Sequence, residues 1–271
     1  MDLWRIATKS RITISKNEIA VLLVCIVFVL MNLGAIGSNG RRRAKEAVCL
    51  SNLLQWGRIW KSYTDDHDGY FPRRSGNLQE GASMIYWPWT ILHHRPDINR
   101  MLWFCPEATK PWLAGGQYPF AAWGPYIQQE ESLYSSYCVN LWVSNPDDYD
   151  GDYSKFWRTP YVADAANVPL LSDGNWKDTE PEPTDAPWAT REQMVYMGWE
   201  PNANEMKRVC IDRHGPAINA VFLDFSVRKV GLKEFWTLKW NQDFNTAGPW
   251  TKAGGVRPED WPEWMRHFKD Y

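Results

Sequence analysis

The sequence carries almost none of the short signatures that announce an enzyme. It has no Cys-x-x-Cys pair, no His-Glu-x-x-His, no Gly-x-Ser-x-Gly, no phosphate-cradling glycine loop and no dinucleotide fingerprint. Those absences exclude a zinc ribbon, a thioredoxin-type redox motif, a helical zinc-protease site, a nucleophile elbow and a nucleotide loop. Excess charge of one sign is also missing: the formal net charge is −2, which argues against nucleic acid as a partner. Histidine is scarce, five in 271 residues, and His93-His94 lacks the i, i+4 spacing of a helical metal pair. Internal repeats are absent. No catalysis and no cofactor are expected.

What the chain does have is one uninterrupted apolar run. Ile19 to Ile36 contains no charge and one strongly polar residue, Asn32. At about 1.5 Å per residue it gives about 27 Å of helix, close to a bilayer core of about 30 Å. Glu18 opens the run, and Arg41, Arg42, Arg43 and Lys45 follow it. The expectation is a single membrane-spanning helix over about 19–36. Lys and Arg are balanced on its two sides, so charge does not orient it. A Glu at its start is expensive in lipid unless paired.

Beyond the run, Cys49, Leu53, Trp56, Trp60 and Tyr63 recur at steps of 4, 3, 4 and 3, which places them on one face of a helix. From Tyr70 to about Pro187, Pro and Gly interrupt the sequence every few residues. Strands are expected at 135–143 and 168–172, an exposed loop at 177–187, and a hairpin over 218–230. A short helix follows at about 232–240, and a final one starts near Pro258 or Glu259.

Five cysteines bear on the compartment. Cys25 falls in the apolar run as a small apolar residue. Cys49, Cys105, Cys138 and Cys210 form two disulfides in any of three connectivities, or stay reduced and buried. Tryptophan is in surplus, 18 residues, many beside Pro or Gly. Such aromatic plates fill an irregular interior; exposed ones stack on sugars, so a polysaccharide partner is the alternative.

The acidic stretch Asp65-Asp66-His67-Asp68-Gly69 reads as a solvated turn. An EF-hand needs an acid at 64 and a Glu at 75, and the chain has Thr64 and Ser75. The second acidic run, Asp147 to Asp152, has Pro146 at the first ligand position. His214 and Asp224 meet if the strand between them folds back, either as a hydrogen-bonded pair or as two metal ligands, with Asp173 as a third. The structural pairing is the reading adopted, because an Asp beside a hairpin turn usually bonds its own backbone.

Three motifs carry a family resemblance. They are the basic turn Arg41–Lys45 before Cys49-Leu50-Ser51-Asn52-Leu53, then Asp68-Gly69-Tyr70-Phe71-Pro72, and near the C-terminus His214, nine residues and Asp224. The chain resembles bacterial prepilin-like (pseudopilin-like) proteins of the planctomycete type, whose second signature is His, nine residues, Asp-Gly. Here Phe225 stands where that Gly belongs. A type I′ turn needs positive φ at both central residues, so a reshaped turn is expected. The resemblance also places a prepilin cleavage between Thr13 and Ile14, where Thr13 replaces the usual Gly, so an uncleaved signal anchor is the reading adopted.

The resemblance implies an α+β, pilin-like fold: a long N-terminal membrane helix and a loop-rich, Trp-rich head with a small antiparallel sheet. It divides the chain into a basic cytoplasmic tail (1–17), a long helix (18–64) and an exported head (65–271). The head carries the hairpin 218–230 and a C-terminal helical tail. It implies a single-pass protein of the inner membrane with a periplasmic head, serving as a structural or accessory subunit of a type II secretion or type IV pilus-like assembly. Glu18 would then act in assembly, and Cys49, Asn52, Leu53, Asp68, Gly69, His214 and Asp224 as family-motif residues. The runner-up is a membrane-tethered carbohydrate-binding module.

Overall fold

A reciprocal cap starts the first helix. The Ser15 N–H donates to the Glu18 carboxylate (2.7 Å), and the Glu18 N–H donates to Ser15 Oγ (3.2 Å), the capping box of a helix N-terminus. Helix α1 then runs Lys16–Asp65, 50 residues. Two left-handed residues end it, Asp68 (φ 53°) and Gly69 (φ 83°), with the Gly69 N–H donating back to the Thr64 carbonyl (2.8 Å). The structure, a computed structural model, describes residues 15–75, 83–128, 131–146, 152–195 and 204–271. The Thr13–Ile14 cleavage point and most of the basic tail lie outside the described residues, as do residues 147–151 of the second acidic run.

The chain divides into two compact units, Met1–Ala44 and Lys45–Tyr271. In the first, the side chains from Ile19 to Met31 are exposed, Val24 at 68% and Leu30 at 62%. The expected fold class needs correction here. The α+β mixture is present, but among the described residues no helix is long and apolar enough to cross a membrane.

In the second unit the Cys49 stripe is buried, with Cys49, Leu53, Trp56 and Trp60 each at 0% exposure. Trp56 packs edge-on against Trp87 and Trp103 at 5.3 and 5.1 Å. Helix α2, Trp87–His94, supplies the first of those rings. The tryptophan surplus thus goes largely into the core: Trp123, Trp236, Trp240 and Trp261 are buried as well.

The sheet content differs from the single small antiparallel sheet expected. One sheet has three strands: β1 (Lys110–Pro111), β2 (Ala121–Gln128) and β3 (Glu131–Ser135). The other is mixed and built from β4 (Tyr137–Asn140), β5 (Pro169–Asp173), β6 (Asp178–Thr179), β7 (Ala217–Phe222) and β8 (Val227–Gly231). Its order is β6-β4-β5-β7-β8, with β4 and β6 parallel. Lys177, Asp178 and Thr179, expected in an exposed loop, are buried, because β6 adds to the edge of β4.

The β7–β8 hairpin keeps a tight turn despite Phe225. The Phe225 N–H donates to the Phe222 carbonyl (2.9 Å), the Phe222 N–H donates to the Ser226 carbonyl (3.0 Å), and Phe225 alone takes positive φ (62°). This is a three-residue loop with its last residue left-handed, a form that needs one positive φ rather than two. The ring of Phe225 packs against the core, which helps hold the residue in that conformation. The expected C-terminal helix is instead two short 3₁₀ turns, Pro258–Asp260 and Glu263–Met265. Pro262 between them supplies no N–H and disfavours helix at Trp261.

Candidate functional site

Four side chains from four separate segments converge under the stripe of α1. Cys49 comes from the helix itself, Cys105 from the loop after the Arg100–Trp103 turn, Asp173 from the last position of β5, and His214 from the loop entering β7. The Sγ atoms, an imidazole nitrogen and a carboxylate oxygen all lie within 4.8 Å of one another. His214 Nε2 is 3.2 Å from Asp173 Oδ2 and 3.3 Å from Cys105 Sγ. Cys49 Sγ is 3.7 Å from the Asp173 carboxylate and 3.6 Å from the Tyr137 hydroxyl. All four residues are buried, Cys49, Cys105 and Asp173 completely.

Local chemistry explains how Cys49 and Cys105 meet. On the same face of α1, Asn52 Nδ2 donates to the Phe104 carbonyl (3.0 Å) and Trp56 Nε1 to the Leu102 carbonyl (2.7 Å). These bonds fasten the 102–105 segment along the helix, while the Cys105 N–H donates to Ser136 Oγ (2.5 Å). The Cys-x-x-Asn-Leu motif is thus a docking strip: Cys49 reaches the centre, Asn52 holds the neighbouring backbone and Leu53 fills the core.

A buried arginine completes the arrangement. Arg213, 1% exposed, donates from Nη1 to Asp173 Oδ1 (3.2 Å) and to the Ser136 carbonyl (2.6 Å). Its Nε donates to the Pro119 carbonyl (2.9 Å), and Nη2 to the carbonyls of Gly174 (3.0 Å) and Ala121 (3.4 Å). The Asn219 N–H donates to Asp173 Oδ2 (3.0 Å). Burial alone would push the Asp173 carboxyl up, but the bonds and charges of His214 and Arg213, with the Asn219 N–H, hold it down at about 2. Burial likewise opposes charge on His214, but Asp173 and Cys105 push the imidazole up to about 10. Burial pushes the Cys105 thiol up.

The sequence-derived candidates scatter. His214 and Asp173 do come together. Asp224 does not join them: it sits exposed in the hairpin turn, where Oδ1 accepts from the Ser226 N–H (2.9 Å), so it drops out of the metal set with His214 and Asp173. Asp68 and Gly69 shape the end of α1 rather than a site. Glu18 has its carboxylate engaged within the chain by Ser15. Cys25, Cys49, Cys105, Cys138 and Cys210 are all free thiols, with Cys138 and Cys210 buried in a second apolar cluster around Phe222 and Trp236. Sequence reasoning missed Arg213 and Tyr137 as partners of the centre. Arg213 stands directly before His214, the one signal available; nothing singles out Tyr137.

The centre has two chemical capacities. Metal-free, it is a charge-paired polar core joining both sheets to α1. Its two thiols, imidazole and carboxylate are also a donor set suited to a soft or borderline cation. Comparison with known proteins adds no relative, since no protein family, curated protein or solved structure matches the chain.

Proposed function

We propose that this chain is a non-catalytic, pseudopilin-like subunit or accessory of a type II secretion-like or type IV pilus-like assembly, joined to its neighbours through the N-terminal part of α1. The observation that carries this reading is the run of exposed apolar side chains from Ile19 to Met31. A helix that is apolar all round needs burial against something, and the equivalent helix of a second copy supplies a matching surface. The motif residues agree with such a design: Cys49, Asn52, Leu53 and Trp56 fasten α1 to the sheets, so a pull on the helix reaches the head. The converging ionisable groups lie in the core rather than in a cleft, which favours a structural role over a catalytic one.

The test is self-association of the full chain against the triple variant Leu23→Asp, Val27→Asp, Leu30→Asp, with near-ultraviolet circular dichroism reporting the head. Assembly predicts multimers for the parent chain and monomers with an unchanged head spectrum for the variant.

One observation favours a second reading, a carbohydrate-binding module. A cleft of about 150 Å³ is lined by Trp112, Leu113, Trp123, Tyr126, Trp176 and Lys177. Trp112 is 52% exposed and offers a flat aromatic face. The volume is below the roughly 300–1,000 Å³ of ordinary ligand pockets, which suits one ring better than a chain. Retention on insoluble polysaccharide that disappears in Trp112→Ala would support this reading over assembly.

A further inference from the structure

We propose that Cys49, Cys105, Asp173 and His214 form a closed, structural zinc-type centre that locks α1 to the sheets. The inference is independent of the assembly reading. It rests on three observations, of geometry, charge and surroundings.

The first is the shape of the cluster. A tetrahedral zinc with Zn–S of about 2.3 Å and Zn–N or Zn–O of about 2.0–2.1 Å has ligand-to-ligand edges of roughly 3.3–3.8 Å. Three of the six edges are 3.2 Å from His214 Nε2 to Asp173, 3.3 Å from His214 Nε2 to Cys105, and 3.7 Å from Cys49 to Asp173, and all six fall within 4.8 Å, so binding draws the longer ones in by up to about 1 Å. His214 Nε2 carries at most one hydrogen, yet it faces both a thiol and a carboxylate. One cation satisfies both directions at once.

The second is charge. Two thiolates, one carboxylate and a divalent cation sum to −1, and the Arg213 guanidinium on Asp173 Oδ1 brings the buried total to zero. Binding releases the two thiol protons, and any proton on His214 Nε2, to solvent; no electron transfer is involved.

The third is the surrounding shell and its closure. The Asn219 N–H and Arg213 fix the Asp173 carboxylate, and the Tyr137 hydroxyl sits at 3.6 Å from Cys49 Sγ, placed to donate to a thiolate. Four protein ligands with all four residues buried leave no open position for substrate, so the role is structural. Sulfur, nitrogen and a single carboxylate favour zinc over magnesium or calcium, which take all-oxygen sets.

The test is elemental analysis of the full chain produced with zinc present and purified without chelators, together with its intact mass and thiol count. The expected result is about one zinc per chain, reduced about tenfold in Cys49→Ser and in His214→Ala and retained in Cys138→Ser, a buried thiol outside the centre. Should the ligand variants fail to fold, cobalt loading of the parent chain gives the same answer, through thiolate charge-transfer and tetrahedral ligand-field absorption. A parent chain with no stoichiometric metal and all thiols free overturns the proposal, leaving a hydrogen-bonded polar core. A mass lower by two hydrogens, with Cys49 and Cys105 in one peptide pair, overturns it in favour of a disulfide. Self-association is read separately, so neither result affects the assembly reading.

Discussion

Replacing Arg213 by Met is the sharpest probe of how the second unit is held together. The guanidinium is 1% exposed and donates to the carbonyls of Pro119, Ser136, Ala121 and Gly174 as well as to Asp173. Ala121 begins β2 and Asp173 ends β5, Pro119 and Gly174 flank those strands, and Ser136 lies between the two sheets. Met fills much of the volume but supplies no donor. Asp173, with 0% exposure, then keeps its charge with only His214, the Asn219 N–H and the weakly donating Cys49 thiol to answer it. Breaking a buried charge pair from one side costs about 3–5 kcal/mol, and each orphaned buried carbonyl adds about 1 kcal/mol or more. A loss of about 7–9 kcal/mol is expected, against a total stability of about 5–15 kcal/mol for an ordinary domain. Urea unfolding followed by tryptophan fluorescence measures it, with chelator present for both proteins so that metal does not contribute. Arg213→Lys keeps the charge but loses the planar fork, and should fall between the two. A loss below about 1 kcal/mol in Arg213→Met would refute the view that this residue knits the sheets.

Further expectations concern the docking strip, a constrained turn and a buried acid. Asn52→Ala removes the bond to the Phe104 carbonyl and should destabilise by about 1 kcal/mol in the same unfolding assay. Gly124→Ala should cost more, about 2–4 kcal/mol: φ is +118°, and an added Cβ would lie 2.6 Å from the Leu133 carbonyl oxygen. Glu205 is pushed up to about 7, by burial first and by Glu180 next, with Arg208 opposing. Its folded value lies above the ordinary 4.5, so its stabilising contribution is complete below about pH 4.5 and is lost as pH rises through about 7. The parent chain should therefore lose up to about 3 kcal/mol between pH 4.5 and 7 relative to Glu205→Gln, and parallel pH profiles for the two would exclude the effect.

What was legible in the sequence was local. The steps of 4 and 3 from Cys49 to Tyr63 read directly as a helix face, because helical period is written in neighbouring residues. The acidic stretch 65–69 read as a turn for the same reason. The β7–β8 hairpin was placed almost to the residue, since two apolar stretches flank a short turn. The sheet of β1, β2 and β3 was not legible, because Gly124-Pro125 interrupts β2 and the pairing shifts register between Trp123 and Tyr126. The loop expected at 177–187 hid β6, whose burial depends on a parallel neighbour far away in sequence. Asp173 and His214 were named together, but Cys49 and Cys105 joined them only through the tertiary fold. Asp224 was set beside His214 by a motif, and its own turn keeps it apart. The membrane-spanning helix was read from apolar length alone, and among the described residues no helix is long and apolar enough to cross a membrane.

The central claim, assembly through the apolar part of α1, is tested most directly by sedimentation velocity of the full chain in detergent-free buffer over a range of concentrations. The account predicts concentration-dependent multimers that the Leu23→Asp, Val27→Asp, Leu30→Asp variant abolishes while the head keeps its near-ultraviolet spectrum. A parent chain that stays monomeric throughout, or multimers that persist in the variant, would contradict it.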